Sequence, residues 1–177
     1  EFLLLPEERP ALEYERGEIT QKLDPMVRHS AIQSELAMRM SLHNGGRQIL
    51  ALGEVCVTWP TEETSFVPDV IAYRIERVPV DKDGLILNHL TVPPDVAVEI
   101  SAPGQEMVAQ MDRCRWYVQH GVPVALLVRP DRRAVWAFRP DGETGPFQGA
   151  DTVDLGDAIP GFSIAVADVF AALRVDN

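Results

Sequence analysis

The feature that most constrains the fold is a strand–helix–strand succession in the middle of the chain. A β-branched run over 94–101 is followed by an amphipathic segment over 105–120 and then by the apolar run 124–128. A strand that follows another strand through a helix usually lies parallel to it in the same sheet, and an apolar run of this kind is buried on both faces. The sequence therefore predicts an α/β fold with a parallel strand pair crossed by a helix.

The other segments predict a mixed β-sheet flanked by helices in a single domain over 1–177. Apolar residues at Ile32, Leu36 and Met40 predict a helix over 27–43, and a short helix is expected over 165–173. Strands are expected over 48–52, 55–59 and 66–73, and over 134–138 as the antiparallel partner of 124–128. Residues 12–19 fit either a strand–turn–strand or a helix end that leads into a strand, and 141–149 is expected to be a polar loop.

Two of these predicted strands carry an acidic residue among apolar neighbours. Asp69 lies in the 66–73 strand and Glu99 in the 94–101 strand. A carboxylate is costly to bury unless a partner compensates its charge, and two carboxylates on adjacent strands could share a cation. The alternative is that both are ordinary strand-end acids satisfied by backbone N–H groups or an arginine. Alternation places Glu99 and Ser101 on one face, while Asp95, at the start of its strand, is expected to be solvated.

Composition narrows the functional classes. The chain has 177 residues, of which 46% are hydrophobic and 24% charged, as expected for a globular domain. Its two cysteines form no Cys-x-x-Cys pattern, which argues against zinc or redox motifs and for reduced thiols in the cytoplasm. No apolar run is long enough for a membrane span or a signal peptide. The net charge of −11 argues against non-specific DNA coating, although carboxylate-bound cations would still permit a nuclease.

Several short motifs, in this order and spacing, resemble the Uma-two family of restriction endonucleases within the PD-(D/E)XK nuclease superfamily. The similarity covers nearly the whole chain. The matching segments are Leu12-Glu13-Tyr14-Glu15-Arg16-Gly17-Glu18-Ile19, Met26-Val27-Arg28-His29, Pro68-Asp69-Val70, the run 94–103, Arg113 through Tyr117, Gly121-Val122-Pro123 and Val128-Arg129-Pro130.

The resemblance implies a restriction-endonuclease-like core that hydrolyses DNA. It implies that Asp69 and Glu99 ligate Mg²⁺ or Mn²⁺ and that the carbonyl of Ile100 adds a ligand. Hard oxygen donors suit Mg²⁺, and a bound metal ion makes water a better nucleophile. It also implies a homodimer, while the lack of a long apolar run predicts no association with a membrane.

The chain departs from the family pattern because it lacks the lysine that the family has near its acidic residues. Ser101 stands where the superfamily has a lysine, and the position to which the lysine has moved in this family is occupied by Arg113. An arginine keeps its proton and cannot act as a general base, but it can clamp a phosphate oxygen or hold Glu99.

Three further residues are candidates for the same site. Glu13 or Glu18 would complete the acidic pocket, and His29 would position the substrate. The alternative is that Glu13 and Glu18 lie on a solvated hairpin edge and that His29 is a surface or capping residue. Lys22 is another cation near the first strands. Two functions follow. The first is a metal-dependent endonuclease, favoured by the retained acids. The second is a catalytically degenerate nuclease fold that acts as an interaction or regulatory module, favoured by Arg113 and the negative charge.

Overall fold

The computed structural model describes residues 2–6 and 8–175, and within them it contains three α-helices and twelve β-strands. The helices are α1 (Val27–Leu42), α2 (Met107–Gln119) and α3 (Val166–Ala171). The strands are β1 (Leu12–Glu15), β2 (Glu18–Gln21), β3 (Ile49–Gly53), β4 (Val57–Trp59), β5 (Thr64–Phe66), β6 (Val70–Arg74), β7 (Val96–Ile100), β8 (Val124–Arg129), β9 (Ala134–Arg139), β10 (Gly142–Gln148), β11 (Thr152–Asp154) and β12 (Ser163–Ala165).

The central sheet has six strands in the order β10-β9-β8-β7-β6-β3. Strands β7 and β8 are parallel and are joined through α2, while the other neighbours are antiparallel. The predicted crossover and the mixed sheet are therefore confirmed. The three predicted helices are present, with ends shifted by at most two residues, and β1 and β2 form a hairpin. In the described ranges no helix is both long and apolar enough to cross a bilayer.

Apolar side chains fill both faces of the central sheet. Along β8, Leu126 points into a core that also contains Ile32 and Leu36 of α1, whereas Leu127 points into a core that contains Cys114 of α2. Successive residues of a strand face opposite sides, so one uninterrupted apolar run supplies both cores. Helices α1 and α2 consequently lie on opposite faces of the sheet.

A second sheet has the order β2-β1-β5-β4 and meets the central sheet at residues 67–69. The prediction of one strand over 66–73 is wrong in this respect, because β5 ends at Phe66 and β6 begins at Val70, in different sheets. Pro68 lacks the N–H group that a continuous strand pairing requires. Asp69 thus lies at the junction of the two sheets and directly precedes the strand that pairs with β7.

Two other expectations are corrected. The predicted loop 141–149 contains β10, an edge strand with a register shift between Thr144 and Phe147, where its glycines and proline are tolerated. Asp95 is buried rather than solvated, with 1% of its surface exposed. Its carboxylate accepts hydrogen bonds from the Arg74 N–H (2.8 Å) and from Arg77 Nη1 (2.5 Å). These partners come from the end of β6 and the turn that follows it, which the pattern around Asp95 does not reveal.

Candidate functional site

Asp69 is the centre of a polar cluster at the junction of the two sheets. Its Oδ2 accepts the backbone N–H of Ile100 at 2.6 Å and lies 3.1 Å from His29 Nε2. Its Oδ1 accepts a hydrogen bond from Lys22 Nζ at 2.6 Å. The amide of Gln33 donates to the Asp69 backbone carbonyl at 2.8 Å. The carboxylate is 2% exposed, so these donors replace the water that burial removes.

Asp69 and Lys22 each stabilise the charged form of the other. Burial alone would raise the pKa of Asp69, but the hydrogen bond from His29 and the charge of Lys22 lower it below its usual value. Burial lowers the pKa of Lys22, while the carboxylates of Glu99 and Asp69 raise it by more, so that it ends above its usual value. The site therefore holds an ionised carboxylate beside an ammonium group.

Glu99 is placed by β7 and held by α2. The hydroxyl of Tyr117 donates to Glu99 Oε1 at 2.6 Å. Burial, followed by the negative charge of Asp69, raises the pKa of Glu99 to about 7. Two neighbouring carboxyl groups thus have pKa values moved in opposite directions, an arrangement common at functional sites.

Glu13 and Arg113 form a second pair next to this cluster. Glu13 Oε1 accepts the Val67 N–H at 2.9 Å, and Glu13 Oε2 accepts Arg113 Nη1 at 3.0 Å. The guanidinium of Arg113 also lies 3.5 Å from the ring centroid of Phe66. Burial lowers the pKa of Arg113, but its interactions with Tyr117 and with the carboxylates of Glu13 and Glu99 raise it above its usual value, so the group stays protonated.

A cavity of about 40 Å³ opens between these elements. Its lining residues are Lys22, Leu23, Asp24, Pro25, His29, Glu54, Asp69, Glu99, Ile100, Ala102, Gln105 and Gln110. The cavity brings together four of the predicted site residues: Asp69, Glu99, Ile100 and His29.

The other predicted residues lie elsewhere. Glu13 and Arg113 belong to the adjoining pair and do not line the cavity, and Glu18 is exposed on β2. The sequence does not reveal the roles of two other contributors. Lys22 is recognisable only as a cation near the first strands, and Tyr117 falls in the amphipathic segment 105–120. Neither pattern indicates their contacts with Asp69 and Glu99.

The donor set fits a hard divalent cation. Asp69 and Glu99 offer carboxylate oxygens to one cavity. Gln105 and Gln110 also line it, but their amide oxygens already accept hydrogen bonds from the Ala102 N–H and the Ser101 hydroxyl. No hydrogen bond to Glu99 Oε2 occurs among the described residues, which leaves that oxygen available. Within 2–6 and 8–175 no group of three or more His, Cys, Asp and Glu side chains forms a ready-made metal site. Any cation here would therefore rely on two carboxylates, neutral oxygens and water.

Comparisons with known proteins agree on one group. The Uma2 family model, described as "Putative restriction endonuclease", matches residues 1–167. The crystal structure of a protein from Anabaena variabilis, described as a putative nuclease belonging to DUF820, has a TM-score of 0.88 to this chain. The two are 31% identical, and the match covers 98% of this chain and 97% of that one. No curated protein matches the chain significantly.

Proposed function

This chain belongs to the Uma2 restriction endonuclease family, and on that premise we propose that it hydrolyses DNA phosphodiester bonds with the help of a divalent metal ion. The observation that carries the proposal is the convergence of Asp69 and Glu99 on one small cavity at the junction of the sheets. Burying two carboxylates together is costly, and a structural role alone would not require both to face the same space.

The residues suited to hold the metal are Asp69, Glu99 and the carbonyl of Ile100, with Mg²⁺ or Mn²⁺ as the ion. When bound, such an ion supplies an activated water and neutralises charge on the phosphate. His29 orients Asp69: because an ionised carboxylate only accepts hydrogen bonds, the His29 Nε2 must carry the proton. His29 Nδ1 is buried without a hydrogen-bond partner among the described residues, so we propose that His29 positions the substrate indirectly, by holding Asp69.

Glu13 and Arg113 act on this site indirectly. Glu13 accepts the Val67 N–H two residues before Asp69, so it fixes the backbone that presents the carboxylate. Arg113 compensates the charge of Glu13 and contributes positive charge near Glu99. We propose that both are positioning residues, and that Arg113 holds the carboxylates of Glu13 and Glu99 in place.

The decisive experiment combines calorimetric titration of Mg²⁺ and Mn²⁺ with a plasmid-nicking assay. We compare the wild type, Asp69→Ala and the control Asp83→Ala, whose carboxylate is 65% exposed in a surface turn. We expect the wild type and the control to bind metal and nick DNA, and Asp69→Ala to lose both, with at least about a 100-fold fall in rate.

Metal binding without nicking would favour the second candidate, a degenerate nuclease fold that serves as an interaction or regulatory module. The observation behind that candidate is that Arg113 is engaged by Glu13 and stacked on Phe66 rather than lining the cavity. Arg113→Lys would then test whether a lysine at this position restores cleavage. Absence of metal binding in the wild type would refute the metal site itself.

Two wider features belong to the same proposal. The family resemblance supports a homodimer, which light scattering of the purified protein tests directly. The free thiols of Cys56 and Cys114 support a cytoplasmic location, where thiols remain reduced.

A further inference from the structure

The charges around the cavity are unbalanced. Its lining includes the carboxyl groups of Asp24, Glu54, Asp69 and Glu99. Phosphodiester cleavage increases negative charge on the phosphate, which requires positive groups close to its oxygens. Among the described residues that line the cavity, only Lys22 and His29 have side chains able to carry positive charge.

Lys22 is held at this position by the β1–β2 hairpin. It directly follows β2, and its backbone N–H donates to the Ala11 carbonyl at 2.9 Å, which extends the hairpin by one pairing. Its ammonium donates to Asp69 Oδ1 at 2.6 Å and to the Val67 carbonyl at 2.7 Å. Only 17% of the side chain is exposed. An ammonium has three N–H groups, and the third has no partner among the described residues.

Arg113 does not offer an equivalent group. Its Nη1 is engaged by Glu13, its guanidinium lies over the Phe66 ring, and it does not line the cavity. Arg113 is therefore less directly placed than Lys22 to contact a phosphate in the cavity. Lys22, by contrast, presents a charged hydrogen-bond donor in the cavity that Asp69 and Glu99 also line.

We propose that Lys22 is a catalytic residue of this site, whose third N–H contacts a non-bridging oxygen of the phosphate undergoing cleavage. The proposal rests on the proposed function, since it assigns a role within the same reaction. It makes the hairpin β1–β2 part of the active site, although the hairpin belongs to a different sheet from β6 and β7.

The chain offers a matched control, because Lys82 is its only other lysine and is 87% exposed. We would compare Lys22→Met, Lys22→Arg and Lys82→Met in steady-state nicking assays. We expect Lys22→Met to lower kcat by about 100-fold or more, Lys22→Arg to regain part of the rate, and Lys82→Met to match the wild type. Thermal unfolding identifies any variant that fails to fold, and Lys22→Arg retains the charge needed to pair with Asp69.

A second readout does not depend on cleavage. Binding of a short labelled DNA duplex is measured by fluorescence anisotropy at several salt concentrations, in EDTA. The logarithm of the binding constant falls as the logarithm of the salt concentration rises, and loss of one phosphate contact reduces the magnitude of this slope by about 1. We expect this reduction in Lys22→Met and not in Lys82→Met. If the wild type never cleaves but the slope still falls, the proposed function fails while the phosphate contact stands.

Two results would overturn the role of Lys22. One is nicking by Lys22→Met at the wild-type rate. The other is an unchanged salt slope together with loss of Mn²⁺ binding in the calorimeter, since this would show that Lys22 acts only by organising Asp69.

Discussion

Glu99 is a residue of the candidate site whose ionisation is altered by the fold. Its pKa is about 7 in the folded chain, against an ordinary value of 4.5, because burial and Asp69 disfavour the charged form. Between these two values the folded state binds more protons than the unfolded state. In the metal-free protein this contribution to stability is therefore complete below about pH 4.5 and is lost as the pH rises through 7.

This sign leads to a prediction for Glu99→Gln. The variant keeps the shape of the side chain without the ionisable group, so it should be more stable than the metal-free wild type at pH 8, by about 2–3 kcal/mol, and similar to it at pH 4. Urea unfolding in EDTA at both pH values measures the difference. Glu76→Gln, at a side chain that is 68% exposed, is the control and should show little effect. A loss of stability at pH 8 would contradict the prediction.

At the scale of elements, the β9–β10 pair depends on a glycine at its irregularity. A Cβ on Gly145 would lie 2.9 Å from the Val135 carbonyl oxygen and 3.0 Å from Trp136 Cδ1. Gly142, in the same strand, also has a positive φ, but a Cβ there would meet nothing within 4 Å. An alanine at either position would be strained by the positive φ, but only at Gly145 would its Cβ also collide with neighbouring atoms.

We therefore expect Gly145→Ala to lower the free energy of unfolding by about 1–3 kcal/mol more than Gly142→Ala does. Chemical denaturation of the two variants measures this difference. Equal losses would show that β10 moves away from β9 without cost, and that the close approach does not matter to stability.

Some elements and contacts of this fold could be predicted from the sequence, and others could not. The sequence indicates Asp69 and Glu99 as candidates, because each is an acid beside a clear apolar run, but it does not reveal that β6 pairs with β7. Strand β10 was missed because glycine and proline are rare in strands, and only its edge position makes them acceptable. The contact of Lys22 with Asp69 spans 47 residues of sequence and crosses two sheets, so no local pattern reveals it.

At the scale of the whole molecule, the two cores share the central sheet. The three tryptophans, Trp59, Trp116 and Trp136, all belong to or pack against the core on the α2 side. Leu126 points to the opposite core. If the chain folds as one domain over 1–177, damage to either core must destabilise both, because the same strands form their common wall.

The test is Leu126→Ala, followed by tryptophan fluorescence and by far-UV circular dichroism. We expect both transitions to move together, with a loss of about 2–5 kcal/mol, although no tryptophan lies in the altered core. Leu127→Ala, on the tryptophan side, should give coincident transitions of similar size. A fluorescence midpoint that stays at its wild-type value in Leu126→Ala would indicate two independently unfolding parts.

The backbone donors at the junction of the sheets have an evolutionary consequence. Asp69 is bound by the N–H of Ile100, and Glu13 by the N–H of Val67. Every residue except proline provides such a donor, so positions 67 and 100 can drift among apolar residues without disturbing either carboxylate. Lineages that diverge in this way would keep the arrangement while losing recognisable motifs. Distant relatives are then better found by comparing the positions of backbone N–H groups in the structures than by matching residue identities.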